Sequence, residues 1–345
     1  MSASKSKRNG VTKGSLWWLG AATGQAITAL ARAGAAVPFA HPRLHGVEVI
    51  RDIPYCTTDR RCHLLDVYRP IGASSTSPRP SVLYIHGGGF GILTKDSHWL
   101  LALIFARRGY TVFNISYRLA PAEPYPAAVE DACAAYEWIA NHGQEYGGDP
   151  KRLVLAGDSA GGNLVAALTL AACYKREEPF AKRVWDTGIV PKAVVPTSAI
   201  FQVSDPQRFA RRRPMPRVVS WVLEGVGKAY LHSVNGTSLD FADPVCALER
   251  GIAPERPLPP FFVGVGTQDP LLDDTRRLEA ALRKLGSPIE ARYYPNAMHV
   301  FHAAVWRRRA RGYWKEAFEF LSRTVGSSKP SSKQSATPSG KGQAP

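Results

Sequence analysis

Cysteine, methionine and acidic residues are scarce in this 345-residue chain. It holds 5 cysteines and 3 methionines, and only 28 acidic residues stand against 44 lysines and arginines. An odd number of cysteines argues against the disulfide framework that small exported domains use. A chain of this length can bury enough apolar surface without such bridges, so we expect one large domain plus a small accessory region.

Long apolar segments are also absent. The most apolar stretch near the N-terminus, Leu16 to Leu30, is helical in character but interrupted by Gly20 and Gly24. With about 15 residues it is too short to span a bilayer. A basic start and the sequence Ala29-Leu30-Ala31 make a signal peptide, and therefore export, the alternative interpretation. We favour a cytoplasmic protein whose chain begins with an accessory helix, because the stretch is only weakly apolar.

The third absence concerns metal sites and nucleic-acid motifs. No histidines, cysteines or carboxylates are spaced as a metal site requires, so we expect neither a metal nor an organic cofactor. The net charge is +16, and both tails are basic without a single acid. Arginines cluster at 211–213 and 307–311. This balance suits an anionic membrane surface as a peripheral partner; nucleic acid is disfavoured because no motif for it is present.

The segment around Ser159 has the pattern of a nucleophile elbow. Leu153 to Leu155 are apolar and predict a buried parallel strand, Gly157 to Gly161 reads GDSAG, and the run from Leu164 to Ala172 is helical in character. A strand, a sharp turn and a helix give the pattern G-x-S-x-G its chemical meaning. Glycines flank the serine because a strained turn leaves no room for side chains there. Ser159 is therefore the predicted nucleophile.

Partners for this serine follow other predicted strands. Three glycines in His86–Phe90 (HGGGF) come after the strand Val82 to Ile85 and expose backbone N–H groups that can stabilise an oxyanion. Asp269 comes after the strand Phe261 to Val265, and His299 comes after the strand Glu290 to Tyr294. The order Ser, Asp, His is the one expected of an α/β-hydrolase.

Four segments together resemble the hormone-sensitive-lipase-like family of esterases. They are HGGGF at 86–90, NISYRLAPAEPYPAAVEDA at 114–132, GDSAGGN at 157–163 and GTQDPLLDD at 266–274. The resemblance implies the α/β-hydrolase fold, with a mostly parallel central sheet, helices on both faces and a helical cap. Leu93 departs from the pattern, since the family often has glycine there.

The resemblance also implies the site residues. Ser159 is the nucleophile, His299 the general base and Asp269 the acid that orients it, while the N–H groups of Gly87, Gly88 and Ala160 form the oxyanion hole. We further expect Phe90 to contact the substrate. Trp17 and Trp18 have two interpretations: they pack in the cap over the acyl pocket, or they anchor the chain at a lipid surface beside the basic arm.

The predicted organisation has three parts. Residues 1–45 form a basic arm and an N-terminal cap helix, residues 46–325 form the hydrolase domain with a cap insertion at approximately 200–240, and residues 326–345 form a disordered tail. The cap regions match no motif, so the substrate is the part of the function that the sequence leaves open.

The predicted reaction is acyl transfer from a small ester of short to medium acyl length, through an acyl-enzyme. Three alternatives use the same fold: a lipase, an amidase or deacetylase, and a non-catalytic receptor for a small ligand. The receptor interpretation usually requires a lost triad histidine, and His299 is present.

The sequence offers alternative residues for the roles of His299 and Asp269. His302 competes with His299, but we expect it at the surface at a helix start, so that replacing it by alanine keeps most activity. Asp273 and Asp274 compete with Asp269, but they lie in the first turn of the following helix. We expect both to be structural.

Cys56 and Cys62 flank the predicted turn of a hairpin within Val47 to Tyr68. If they face one another across the two strands, a disulfide is feasible at a close pair. We favour two free thiols, whereas an exported enzyme should carry the bridge.

Overall fold

The structure is a computed structural model that describes residues 13–212, 214–234 and 238–326. Eight strands form one sheet: β1 Val47–Pro54, β2 Leu64–Pro70, β3 Arg79–Ile85, β4 Thr111–Ile115, β5 Gly148–Asp158, β6 Ala193–Thr197, β7 Phe261–Gly266 and β8 Ile289–Tyr294. The helices are α1 Lys13–Ala35, α2 Trp99–Ala106, α3 Ala127–His142, α4 Ala160–Cys173, α5 Pro179–Asp186, α6 Arg208–Arg212, α7 Arg217–Leu231, α8 Pro244–Glu249, α9 Leu272–Lys284 and α10 Arg308–Thr324. The segments predicted to be strands and helices around the site are confirmed.

The sheet has the order β1-β2-β4-β3-β5-β6-β7-β8. β1 pairs antiparallel with β2, and β2 with β4, whereas every pairing from β4 to β8 is parallel. The carboxyl ends of the parallel strands therefore meet at one edge, where α/β sheets carry their functional groups. The predicted α/β-hydrolase fold with a mostly parallel sheet is confirmed.

Two apolar cores cover the two faces of this sheet. Side chains alternate along β3, so Leu83 and Ile85 join one core and Val82 and Tyr84 join the other. The first core contains α3 and α4, and the second contains α2 and α10. Burial on both faces explains why the strands read as continuous apolar runs.

Helix α1 is continuous from Lys13 to Ala35, so the predicted helical character of Leu16 to Leu30 is confirmed, and Gly20 and Gly24 do not break the helix. Gly24 packs against Ile92, where a Cβ would lie 2.7 Å from the isoleucine Cβ. The glycine allows this close approach instead of ending the helix. None of the helices described by the structure is long and apolar enough to cross a membrane.

The predicted hairpin exists, but its cysteines are not among the paired residues of its two strands. Pro54 and Leu64 are the last paired residues of β1 and β2, so Cys56 and Cys62 lie in the connection beyond the ladder. A short 3₁₀ turn at Arg61–His63 lengthens that connection. Both cysteines are free thiols.

The division into arm, hydrolase domain, cap insertion and tail stays a prediction. Residues 1–12 of the arm and residues 327–345 of the tail lie outside the described residues. Within the predicted insertion, the chain forms α6 and α7.

Candidate active site

The turn between β5 and α4 holds Ser159 in a strained conformation. Its φ is 52° and its ψ is −115°, a backbone geometry that costs energy and is common at functional sites. A Cβ at Gly157 would lie 2.7 Å from the carbonyl carbon of Gly161, and a Cβ at Gly161 would lie 2.0 Å from the Ile85 oxygen. Both glycines are therefore sterically required, as the sequence predicted.

The structure brings Ser159, His299 and Asp269 together. His299 Nε2 lies 3.1 Å from Ser159 Oγ, and His299 Nδ1 lies 3.1 and 3.0 Å from the two carboxylate oxygens of Asp269. In this arrangement the Ser159 hydroxyl donates to Nε2 and the Nδ1–H group donates to Asp269. Asp269 is fully buried, while the His299 side chain is 36% exposed. The histidine thus reaches both the carboxylate and the cleft.

The surroundings of His299 set its basicity. Burial lowers the pKa of His299, but the hydrogen bond and the negative charge of Asp269, with a further contribution from Asp158, raise the pKa above its ordinary value in the net. The Asp269 carboxylate therefore makes the imidazole a stronger base toward Ser159.

The loop that carries His299 is held by residues that the sequence did not point to. Asn296 N–H donates to Thr267 Oγ1 at 2.8 Å, and Val300 N–H donates to Ser198 Oγ at 3.4 Å. Thr267 follows β7 and Ser198 follows β6 at the functional edge of the sheet. The sequence signal for Thr267 and Ser198 was a polar side chain directly after a predicted parallel strand.

Residues 86–93, which carry the predicted oxyanion donors and are called the oxyanion loop below, lie beside Ser159. A Cβ at Gly87 would lie 3.2 Å from Ser159 Cβ, and Gly88 has a φ of 109°. No acceptor within the described chain takes the backbone N–H groups of Gly87 and Gly88. Ala160 is the first residue of α4, so its N–H has no partner within the helix. The three predicted donors all stand next to Ser159.

Phe90 has a different place from the predicted one. It is fully buried and stacks on Tyr230 of α7, with ring centroids 3.8 Å apart. This contact fixes the oxyanion loop to α7, so we remove Phe90 from the residues expected to contact the substrate. Trp17 and Trp18 lie in α1, but their side chains lie outside the described part of the chain.

Leu93, where the sequence departs from the family pattern, has a φ of 75°. This is the left-handed region that favours glycine. The departure therefore adds backbone strain to the oxyanion loop.

The expectation that His302 is a surface residue is wrong. His302 is 1% exposed, and its ring packs beside Tyr313 and Trp314. Its carbonyl accepts a hydrogen bond from Trp314 Nε1 at 3.0 Å. Burial lowers the pKa of His302 to about 4, so the ring is neutral at pH 7.

Asp273 and Asp274 have structural partners. Asp273 pairs with Arg276 at 3.0 Å. Asp274 is fully buried and accepts hydrogen bonds from the backbone N–H of Phe201 at 2.7 Å and from Arg208 at 2.5 Å. Asp274 thus fixes the chain after β6 to α9.

Replacing His302 by leucine should make the protein less sensitive to acid. Below a pH of about 6.5 the unfolded chain protonates this histidine, while the folded chain resists protonation until a pH of about 4. Folding stability is therefore lost as the pH falls through this window, by on the order of 3 kcal/mol. Urea unfolding at several pH values should show a shallower loss in His302→Leu, with turnover at pH 8 within a few-fold of the wild type. A large loss of turnover would make His302 a rival of His299.

No group of three or more histidines, cysteines or acids that could hold a metal ion occurs among the described residues.

Comparisons with known proteins bear on this site. A family model described as alpha/beta hydrolase fold matches residues 82–303. Esterase LipI of Mycobacterium tuberculosis is 31% identical over 274 residues, which cover 77% of this chain and 76% of that protein. An acetyl esterase of Salmonella schwarzengrund is 29% identical over 258 residues, which cover 72% of this chain and 75% of that protein.

Among solved structures, an esterase from the bacterial hormone-sensitive lipase family superimposes with a TM-score of 0.63. It is 25% identical, and the match covers 89% of this chain and 99% of that one. The segment matched by the family model contains the oxyanion loop, the elbow, Asp269 and His299.

Proposed function

We propose that Ser159, His299 and Asp269 perform the reaction of this chain on a small ester, since the chain belongs to the α/β-hydrolase fold family and is a carboxylesterase-type serine hydrolase similar to hormone-sensitive-lipase-like esterases. The observation that carries this assignment is the hydrogen-bonded chain from Ser159 Oγ through both nitrogens of His299 to Asp269. No metal or organic cofactor enters the proposed reaction.

The reaction proceeds in two halves. His299 Nε2 takes the Ser159 proton while Oγ attacks the ester carbonyl, and the resulting imidazolium returns the proton to the leaving alcohol as the C–O bond breaks. Water then attacks the acyl-enzyme with its proton passing to His299, which gives that proton back to Ser159 as the acid leaves. Each negatively charged tetrahedral intermediate is stabilised by the N–H groups of Gly87, Gly88 and Ala160. One such donor lowers the barrier by about 3 kcal/mol.

We propose acyl chains of short to medium length. Two helices pack directly on the oxyanion loop: α7 places Val226 where a Cβ at Gly89 would meet it at 2.8 Å, and α1 packs Gly24 on Ile92. Both helices therefore cover the loop that carries the proposed oxyanion donors. The similarity to an acetyl esterase supports the same range.

A nitrophenyl acetate assay tests the proposal. Wild-type protein should turn over the ester and release nitrophenol, with an initial burst that approaches one per chain when hydrolysis of the acyl-enzyme is slower than its formation. Ser159→Ala should give neither. A wild-type protein that binds the ester without releasing nitrophenol would instead be a receptor.

A series of substrates distinguishes the esterase from the two remaining alternatives, a lipase and an amidase or deacetylase. An esterase should lose activity as the acyl chain lengthens beyond medium size and should turn over the matched anilide far more slowly than the ester. Preference for long-chain emulsions would indicate a lipase, and comparable anilide turnover would indicate an amidase or deacetylase.

We further propose that the protein contacts anionic membranes through the start of α10. Arg307, Arg308 and Arg309 are exposed and make no ion pair within the described chain, and Trp306 beside them is 70% exposed. The first turn of α10 contains no acid, so its arginines lie at the positive end of the helix dipole, which is unfavourable without a counterion. A cavity of about 370 Å³ next to them is lined by basic and apolar residues without a carboxylate: Ile104, Arg107, Arg108, Val305, Arg311, Trp314, Lys315 and Phe318.

Charge reversal of this surface should weaken membrane binding. The double variant Arg308→Glu/Arg309→Glu should sediment several-fold less with phosphatidylglycerol vesicles than the wild type, and raised salt should release the wild type. The matched control is Lys151→Glu/Lys192→Glu, two exposed lysines near the amino ends of their strands. Equal loss in the control would indicate net charge alone. Deletion of residues 1–20 tests the contribution of the N-terminal arm and the Trp17-Trp18 pair.

A cytoplasmic location is our proposal for the compartment, and free Cys56 and Cys62 thiols support it. Thiol blocking of the protein from its native source, followed by mapping of the peptide from Tyr55 to His63, tests it. A linked pair would favour export.

A further inference from the structure

A buried carboxylate lies directly behind the proposed nucleophile. Asp158 precedes Ser159 and is 2% exposed, and the Tyr84 hydroxyl donates to its Oδ1 at 2.8 Å. A Cβ at Gly87 would lie 2.5 Å from Asp158 Oδ2. The carboxylate therefore packs against the backbone of the proposed oxyanion hole. An uncompensated negative charge at this position would oppose the negative charge of the tetrahedral intermediate.

The nearest candidate for compensation is His98. Its Nε2 lies 3.3 Å from Asp158 Oδ1, and the two side chains are 8% and 3% exposed. Burial raises the pKa of Asp158, but His98 and the Tyr84 hydroxyl have the larger opposite effect. The pKa of Asp158 therefore lies well below its ordinary value, and the carboxyl is ionised. Two other imidazoles lie in this region, and burial lowers the pKa of His86 to about 3 and that of His302 to about 4. Both are neutral at pH 7, so neither supplies a positive charge beside Asp158.

Hydrogen-bond accounting assigns the protons of His98. Ser97 Oγ lies 2.6 Å from the Thr94 carbonyl oxygen and 2.8 Å from His98 Nδ1. A carbonyl only accepts, so the single hydroxyl proton goes to Thr94, and Nδ1 must carry the proton that it shares with Ser97. Nε2 lies 3.3 Å from Asp158 Oδ1, and an ionised carboxylate only accepts, so this contact is favourable when Nε2 carries a proton as well.

We propose that His98 is a positioning residue that carries a proton on both ring nitrogens and neutralises Asp158 beneath the oxyanion hole. His98 also connects the segment after the oxyanion loop with the end of β5, because His98 lies within residues 94–98 and Asp158 is the last residue of β5. This inference rests on the proposed role of Ser159 and the oxyanion hole. The partner of His98 is the Asp158 carboxylate of the same chain, and the expected effect is on the energy of the transition state.

The variant His98→Gln keeps a hydrogen-bonding side chain and removes the positive charge. Because the oxyanion exists only after attack, we expect kcat on nitrophenyl acetate to fall about 10- to 100-fold while KM changes less than about threefold. Adding Asp158→Asn removes the uncompensated carboxylate and should restore kcat to within several-fold of the wild type. The exposed His142→Gln is the matched control and should have no effect. A double variant no better than His98→Gln would show that His98 acts by packing alone and would overturn the proposal.

A second measurement does not depend on activity. The ¹⁵N chemical shifts of the wild-type His98 ring, assigned by comparison with His98→Gln or by labelling within the intact protein, report its protonation at pH 7. Two equally protonated nitrogens are expected. A neutral tautomer would contradict the proposal even if the esterase reaction is as proposed. Conversely, an imidazolium in a protein without esterase activity would separate this pair from the proposed function.

Discussion

Replacing Ser159 by alanine is expected to lower kcat by at least four orders of magnitude, as the loss of a triad nucleophile typically does. The Ser159 hydroxyl makes its side-chain hydrogen bond with His299 Nε2, and alanine leaves no other group able to form the acyl-enzyme. Steady-state hydrolysis of nitrophenyl acetate at saturating substrate concentration measures the loss.

The fold should be unaffected by this substitution. Ser159 N–H donates to the Thr197 carbonyl at 3.0 Å through the backbone, and alanine keeps this bond and the positive φ. We expect the free energy of unfolding in urea to change by less than about 1 kcal/mol. Residual turnover above about one hundredth of the wild-type rate, in protein free of wild-type contamination, would exclude Ser159 as the nucleophile.

The second large effect is expected from Asp269→Asn, which should lower kcat by about four orders of magnitude. Asparagine preserves the size of the side chain but replaces an acceptor of the His299 Nδ1–H bond by an amide that can donate. The imidazole then loses both the orientation and the charge that make it a base toward Ser159. Asp273→Asn is the matched control and should retain activity within a few-fold, because Asp273 pairs with Arg276.

The pH dependence of the same variant gives an independent check. Hydrolysis requires neutral His299, so kcat/KM falls as the pH drops through the pKa of His299. Asp269 raises that pKa while burial lowers it. Removing the Asp269 charge should therefore move the acid limb of the residual activity to lower pH. An unchanged acid limb, or an equal loss in Asp273→Asn, would reassign the acid.

The sequence predicted the elements that local chemistry determines. Buried parallel strands are apolar on both faces, so β3, β5 and β7 were visible as runs, and the predicted oxyanion glycines, Ser159 and Asp269 follow the ends of these three strands. Gly157 and Gly161 were informative for the same reason, because their contacts with Ile85 and with one another leave no space for a Cβ. Strand ends and glycines thus indicated the site before any distance was known.

The wrong predictions concern side chains whose surroundings come from distant parts of the chain. His302 is buried because α10 brings Tyr313 and Trp314 over it, which its own polar loop does not indicate. The packing role of Gly24 was not predicted, because it depends on Ile92, 68 positions further along the sequence. The Asp158–His98 pair was invisible for the same reason, since 60 residues separate its members.

The central claim is that Ser159 is the residue that becomes acylated, and covalent labelling tests it most directly. A fluorophosphonate should add to the wild-type protein once per chain, and peptide mapping by mass spectrometry should place the adduct on Ser159. Labelling should be lost in Ser159→Ala and strongly slowed in His299→Ala. An adduct on another residue, or undiminished labelling of Ser159→Ala, would contradict the account.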